Sequence, residues 1–387
     1  MKILHVGPVN MKRASGLPRS ILGFASAQVD LGLQVGLLSP LPLTQDNSMK
    51  QIPGVRLLRS PYRTHYNPLF ISHDWVKRIQ TEFGTPDLVN FHSTYIPFNT
   101  ALARRCKQAG WRYIITAHGV MGCRAQHVKR IKKTIANLLF FRSYVNHAEA
   151  IHAFTATEAE EIQKLFKVTK TIIVPNGIED YLLEAPEKLI PADLGDFGHE
   201  SDLTLGFIGR IDLYHKGLDL LLKAMAILIS QQDAFKCKLF VIGPFHRKQD
   251  ELSFYSTVES QSLRDYVKLF GPKFGDEKLR HFLACDVFVH TSRFEGMPMA
   301  VLEAMALGRP CLVTPKTNMA DVVRECGGWV CQAEPDSIAD AIKDIYRSKV
   351  SLPAIGKRLQ DLVRQRYTWS KVAHQLKAEY AKILKTG

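Results

Sequence analysis

The stretch Leu203-Thr204-Leu205-Gly206-Phe207-Ile208-Gly209-Arg210-Ile211-Asp212-Leu213-Tyr214-His215-Lys216-Gly217 decides the fold. Its first six residues are a short apolar run with strand character, Gly209 to Gly217 is a polar loop, and helical periodicity takes over to residue 230. A strand that passes through such a loop into a helix begins a crossover between parallel strands. Downstream the alternation continues. Residues 238–242, 267–270 and 287–290 read as strands, and 276–284 and 298–307 as helices. Upstream, residues 2–7, 35–38, 88–92, 113–117, 150–155 and 171–175 read as strands, with helical stretches between most of them. Two open α/β sheets therefore follow one another, over residues 1–180 and 200–365. Residues 179–202, with Pro186, Pro191, Gly195 and Gly198 and no clear period, read as the linker. Open sheets bind ligands beyond the carboxyl ends of their strands, so the expected architecture is two Rossmann-like domains facing a central cleft.

Size and composition agree with this reading. A chain of 387 residues exceeds the span at which one core stops growing, and 46% hydrophobic with 23% charged residues is a globular composition. Seven scattered cysteines without zinc spacing indicate buried thiols in a reducing compartment. No apolar run is long enough to span a bilayer and residues 1–7 lack a signal-peptide core, so the expected location is cytoplasmic. The net charge of +14 is uneven, with +11 on residues 1–190 and +3 on the rest. Nucleic acid, an anionic membrane surface or a phosphorylated substrate all suit that sign, and motifs must choose among them.

Two motifs carry chemistry. In Phe294-Glu295-Gly296-Met297-Pro298-Met299-Ala300-Val301-Leu302-Glu303 a glycine and a proline allow a tight turn, with Pro298 at the first helical position. The N–H groups of Met299, Ala300 and Val301 then form an anion site suited to a diphosphate. Glu295 and Glu303 border the same ligand at different depths, and carboxylates beside phosphates prefer hydroxyl partners, as on sugars. Arg210 and Lys216, six residues apart across the first loop, converge on one phosphate from two sides. Asp212 is expected to cap the following turn, and Ser292 to be a loop hydroxyl bonded to backbone.

These residues resemble the retaining GT-B glycosyltransferases of family 4. The resemblance runs through Gly209-Arg210 with Lys216-Gly217, the Glu295 to Glu303 pair, Val174-Pro175-Asn176-Gly177 and Ala117-His118-Gly119, and ends with Arg366-Tyr367-Thr368-Trp369 and an amphipathic last helix. It implies that Arg210 and Lys216 hold the diphosphate of a nucleotide sugar, with Gly296, Met297, Pro298, Met299 and Ala300 around it. It further implies that Glu303 takes the ribose hydroxyls, Glu295 the transferred sugar, and His118 the same sugar from the first domain, and that residues 366–387 return to that domain. The donor implied is a nucleoside-diphosphate sugar, a UDP-sugar above all, and no cofactor or metal is expected because there is no Asp-x-Asp pair and fixed cations neutralise the leaving group. Where the family carries a paired-glycine loop, this chain has Ala14-Ser15-Gly16-Leu17-Pro18-Arg19-Ser20; Gly16 is the candidate for the phosphate-loop role, with Arg19 adding charge.

Plain readings stand beside these. The glutamates read otherwise as a helix-capping acid and a solvated acid, Arg210 and Lys216 as a surface pair, and His118 as a satisfied histidine at a strand end. Lys129, Arg130, Lys132 and Lys133, in a helical stretch over residues 127–147 that sets Phe140 beside lysines, suit an anionic membrane surface or a lipid-linked acceptor, and otherwise a solvated face. The expected activity is transfer of a hexosyl unit to a lipid-linked or polysaccharide acceptor in envelope or exopolysaccharide synthesis, with peripheral attachment to the inner face of the plasma membrane. The alternatives are a sugar-nucleotide epimerase on the same scaffold and a transferase with a soluble acceptor. A nucleic-acid-binding protein has no need of the two glutamates.

Overall fold

In the computed structural model, residues 1–9, 16–40, 52–58, 71–121, 141–166, 170–231 and 235–385 are described. The chain divides into two compact units, Met1–Gly177 with Trp369–Gly387, and Ile178–Thr368.

The first unit is built on a seven-stranded parallel sheet. Its strands are β1 (Lys2–Val6), β2 (Gln34–Leu38), β3 (Val55–Leu58), β4 (Leu88–His92), β5 (Tyr113–Thr116), β6 (Ala150–Ala153) and β7 (Thr171–Ile173), in the order β3-β2-β1-β4-β5-β6-β7. Strands buried on both faces must be nearly continuous in apolar residues, and β1 and β4 meet that rule except at the half-buried Lys2 and at the buried His5, Asn90 and His92. The last helix, Trp369–Lys385, belongs to this unit. Its Trp369 ring lies where a Cβ on Gly23 would be, 2.0 Å from the ring, so only glycine at position 23 lets helix Gly16–Asp30 approach it. Tyr380 is fully buried on the same helix, its hydroxyl accepting from Asn90 of β4 at 3.0 Å.

The second unit has a six-stranded parallel sheet. Its strands are β8 (Leu203–Ile208), β9 (Cys237–Ile242), β10 (Val267–Gly271), β11 (Val287–His290), β12 (Cys311–Val313) and β13 (Trp329–Val330), in the order β10-β9-β8-β11-β12-β13. Each sheet grows outward from a central pair, β1 with β4 and β8 with β11, where the strand order reverses. That reversal opens a crevice beyond the carboxyl ends of the two central strands.

Residues 178–202 are not a linker. Ile178 bonds the Tyr367 carbonyl at 2.7 Å, Tyr181–Lys188 is a helix that buries Leu182, Leu183 and Ala185, and the segment clusters with the second unit. A helix of eight residues with Pro186 inside it is too short and too interrupted to show a period in sequence. The linker's place is taken by the abrupt joins Gly177–Ile178 and Thr368–Trp369.

Candidate active site

In the second unit the candidates Arg210, Lys216 and Glu295 lie on the loops after β8 and β11, the two strands at the reversal. The loop after β8 is shaped by Asp212, whose carboxylate accepts the His215 N–H at 3.0 Å and whose carbonyl accepts the Lys216 N–H at 2.9 Å, as a turn-capping role requires. Gly217 closes the loop at φ 66°, and a Cβ there would sit 1.9 Å from the Thr291 carbonyl oxygen, so the two loops touch backbone to backbone. Thr291 completes that contact by donating its hydroxyl to the Gly217 carbonyl at 2.9 Å. Arg293 then grips Asp219 through both guanidinium arms at 2.7 and 2.8 Å and stacks on Tyr214, 4.4 Å from the ring centre. Two loops fastened this way form a preorganised surface.

Lys216 and Glu295 meet on that surface. The ammonium donates to Oε1 of Glu295, and the same oxygen receives the Ser292 hydroxyl at 3.0 Å and faces His290 Nε2 at 3.4 Å. Among the described residues no donor reaches Oε2, so one carboxylate oxygen is saturated and the other is available. The backbone of Glu295 is pinned on both sides, its N–H to the Lys316 carbonyl at 2.9 Å and its carbonyl to the Asn318 amide at 2.8 Å. Burial works to raise this carboxyl, but Lys216 and then His290 and His215 outweigh it and hold it well below the ordinary carboxylate range. The two histidines are themselves lowered by burial, and His215 stacks on Phe294 at 4.3 Å while donating to its carbonyl at 2.8 Å. Arg210 is half-buried and meets His246 Nδ1 at 3.2 Å.

Several sequence expectations are corrected in detail. Pro298 is the N-cap of helix Met299–Ala306 and not its first residue, and the Val301 N–H already bonds the Pro298 carbonyl at 3.1 Å. The N–H groups of Met299 and Ala300 keep no intrahelical acceptor. Gly296, Met297 and Pro298 are buried beneath that turn. Glu303 is buried on the helix and ion-paired with Lys278 at 2.6 Å, so neither glutamate is a solvated acid. Ser292 bonds side chains, His290 at 2.9 Å and Glu295, and not backbone. Lys278 and His290 had no motif to reveal them; Lys278 reaches Glu303 from a helix distant in sequence, and His290 reaches Glu295 across a turn.

In the first unit His118 follows β5 at φ 52°, with Gly119 at 77°, two successive left-handed residues. Glu158 fixes this turn by accepting the Gly119 N–H at 2.7 Å and the Phe154 N–H at 2.8 Å; burial raises its carboxyl to about 6 against those two bonds. His118 Nε2 lies 2.8 Å from His92 Nδ1, and burial pushes its pKa down to about 3. Gly16 is the exposed first residue of helix Gly16–Asp30, whereas Ala14 and Ser15 lie outside the described residues. So do Lys129, Arg130, Lys132, Lys133 and Phe140.

Comparison with known proteins fits this geometry. The family model for Glycosyltransferase Family 4 matches residues 14–180, and that for Glycosyl transferases group 1 matches residues 202–348. The chain is 24% identical to TuaC of Bacillus subtilis, a glycosyltransferase assigned to teichuronic acid biosynthesis, over 100% of both chains. It is 21% identical to the human (Homo sapiens) protein that forms one part of phosphatidylinositol N-acetylglucosaminyltransferase, over 85% of this chain and 67% of that protein. Its fold matches that of Anabaena Alr3699/HepE in complex with UDP-glucose, with a TM-score of 0.73 at 18% identity and 100% of both chains covered. No helix among the described residues is long and apolar enough to cross a membrane. With both halves matched by glycosyltransferase models and two Rossmann-like sheets in the corresponding order, the chain is a glycosyltransferase of the GT-B fold.

Proposed function

We propose that the enzyme transfers a hexosyl unit from a nucleoside-diphosphate sugar, with UDP as the nucleotide, to a hydroxyl of a lipid-linked or polysaccharide acceptor in envelope or exopolysaccharide synthesis, retaining the anomeric configuration. The observation that carries this reading is Lys216 against Glu295 where the second sheet reverses, with Oε2 of the carboxylate available. A ligand that suits this surface brings an anion for the cations and hydroxyls for the carboxylate. A nucleotide sugar brings both. Arg210, Lys216 and the N–H groups of Met299 and Ala300 are assigned to the diphosphate, where charge grows as the sugar leaves. Glu303, steadied by Lys278, takes the ribose hydroxyls, and Glu295 takes a hydroxyl of the transferred sugar through Oε2. His118 accepts a hydroxyl of a substrate.

Retention follows if the acceptor attacks from the leaving-group face, because no side chain is placed as an enzyme nucleophile in this reading. The cations do the work of a divalent ion, so activity is expected to survive a chelator. The Anabaena protein's complex with UDP-glucose supports UDP, and the names of the Bacillus and human proteins support a polymer or lipid acceptor. The basic residues Lys129, Arg130, Lys132 and Lys133 extend the proposal to anionic membrane surfaces. Cosedimentation with anionic vesicles at low and high salt tests that part: release by salt, and loss on changing the four to Ser, are expected. Equal solubility of both proteins at low salt points to a soluble acceptor. The reaction itself is tested by incubating the enzyme with UDP-, GDP- and ADP-sugars and following the anomeric proton by NMR. Release of UDP with an initial α-anomer from an α-donor is expected; epimerised nucleotide sugar without release overturns the reading.

A further inference from the structure

β1 and β4 are neighbours at the reversal of the first sheet, and each carries a histidine where a doubly covered strand calls for an apolar residue. His5 lies within β1 and His92 ends β4; both are fully buried. They form a continuous row with a residue from each side. Gln28 Oε1, on helix Gly16–Asp30, is 2.9 Å from His5 Nε2; His5 Nδ1 is 2.8 Å from His92 Nε2; His92 Nδ1 is 2.8 Å from His118 Nε2. Successive rings lie 5.1 Å apart.

With the Gln28 amide oxygen facing His5, proton counting along the row has one solution. Burial holds all three rings neutral, lowering His5 to about 4, His118 to about 3 and His92 well below the usual value. A neutral imidazole has one N–H and one lone pair, and a nitrogen-to-nitrogen hydrogen bond needs one of each. The Gln28 carbonyl oxygen only accepts, so His5 carries its proton on Nε2 and leaves Nδ1 bare. His92 must then donate from Nε2, and so must His118. The far end of the row is His118 Nδ1, a lone pair with no partner among the described residues, on a ring that is half-buried while the other two are sealed.

We propose that Gln28, His5 and His92 are positioning residues that fix His118 as the Nε2–H tautomer, so that its Nδ1 accepts a hydrogen bond from a substrate hydroxyl and cannot donate one. This rests on the glycosyl-transfer reading for the identity of that hydroxyl, but the tautomer itself does not. The orientation of one buried amide, three residues away along the row, thus sets the hydrogen-bonding sense of a site residue. Turning the Gln28 amide over reverses every proton and makes His118 Nδ1 a donor.

The test is two-bond proton–nitrogen correlation NMR on the full chain labelled with ¹⁵N-histidine, the His118 signal being identified by its loss in His118→Gln. The expected wild-type spectrum shows His118, His92 and His5 as Nε2–H tautomers at neutral pH. An Nδ1–H tautomer or a mixture at His118 overturns the proposal, and the measurement needs no variant at Gln28, His5 or His92 to fold. In Gln28→Met, which keeps the volume and removes the acceptor, His118 is expected to become a mixture. Turnover of the best donor among UDP-glucose, UDP-galactose and GDP-mannose then falls with the remaining Nε2–H population, about twofold at equal populations, while UDP affinity is unchanged. A pure Nε2–H signal in that variant, or turnover that does not follow the population, overturns the positioning role. Absence of turnover with every donor in the wild type counts against the transfer reading, and the spectrum still decides the tautomer.

Discussion

Glu295 owes its charge to its neighbours, and that dependence has a pH signature. Its folded-state pKa lies below the ordinary 4.5, so the stability it contributes is present above that pH and is lost as the pH falls toward the lower folded value. Glu295→Gln is therefore expected to lower stability by about 1–3 kcal/mol near neutrality, with the difference from wild type shrinking below pH 4.5; urea midpoints across that range check it. The two glutamates should also separate in binding. On the proposed reading, in which Glu303 holds the ribose, Glu303→Ala is expected to weaken UDP binding by about 1–2 kcal/mol and also strands Lys278, whereas Glu295→Ala should spare UDP and lower turnover. Equal losses of UDP affinity by calorimetry would contradict that division. At this scale the sequence revealed the residues grouped in motifs and missed those that meet only through the fold. Lys216 and Glu295 stood out because each sits in a glycine-bounded loop with other polar groups. His5, His92 and Gln28 did not, because a lone polar residue in an apolar strand or helix carries no sign of the partner a neighbouring element supplies.

Elements were legible where they were long and periodic. The strands over residues 203–208, 238–242 and 287–290 and the helix beginning near Gly217 are all present in the second unit. The strands Val55–Leu58, Cys311–Val313 and Trp329–Val330 were not foreseen, being two to four residues long and, at the sheet edges or after a helix, without alternation. The helix Tyr181–Lys188 was lost to its proline. The joint between the loops after β8 and β11 is an element-scale feature with its own prediction. Gly217→Ala adds the cost of a left-handed residue to a collision with the Thr291 carbonyl, so a loss of about 2–5 kcal/mol is expected in thermal or urea unfolding, together with weaker UDP binding. A fully stable variant would show that the two loops separate freely.

For the molecule as a whole, the chain crosses between its two units at only two joins, and the second returns Trp369–Lys385 to the first sheet. Trp369 fills the space kept open by Gly23 and Gly177, and Arg112 donates to the Ile383 and Leu384 carbonyls at 3.2 and 3.1 Å. Trp369→Ala is accordingly expected to cost about 3–5 kcal/mol, read as an earlier thermal transition. UDP affinity, which the proposed function assigns to residues of the second unit, should persist below that transition. The central claim is that Arg210 and Lys216 hold the diphosphate of the donor. Calorimetric titration of UDP into wild type, Arg210→Ala and Lys216→Ala measures it directly: binding to the wild type and a loss of about 2–3 kcal/mol in each variant is the predicted result, and the same affinity in all three proteins would contradict it.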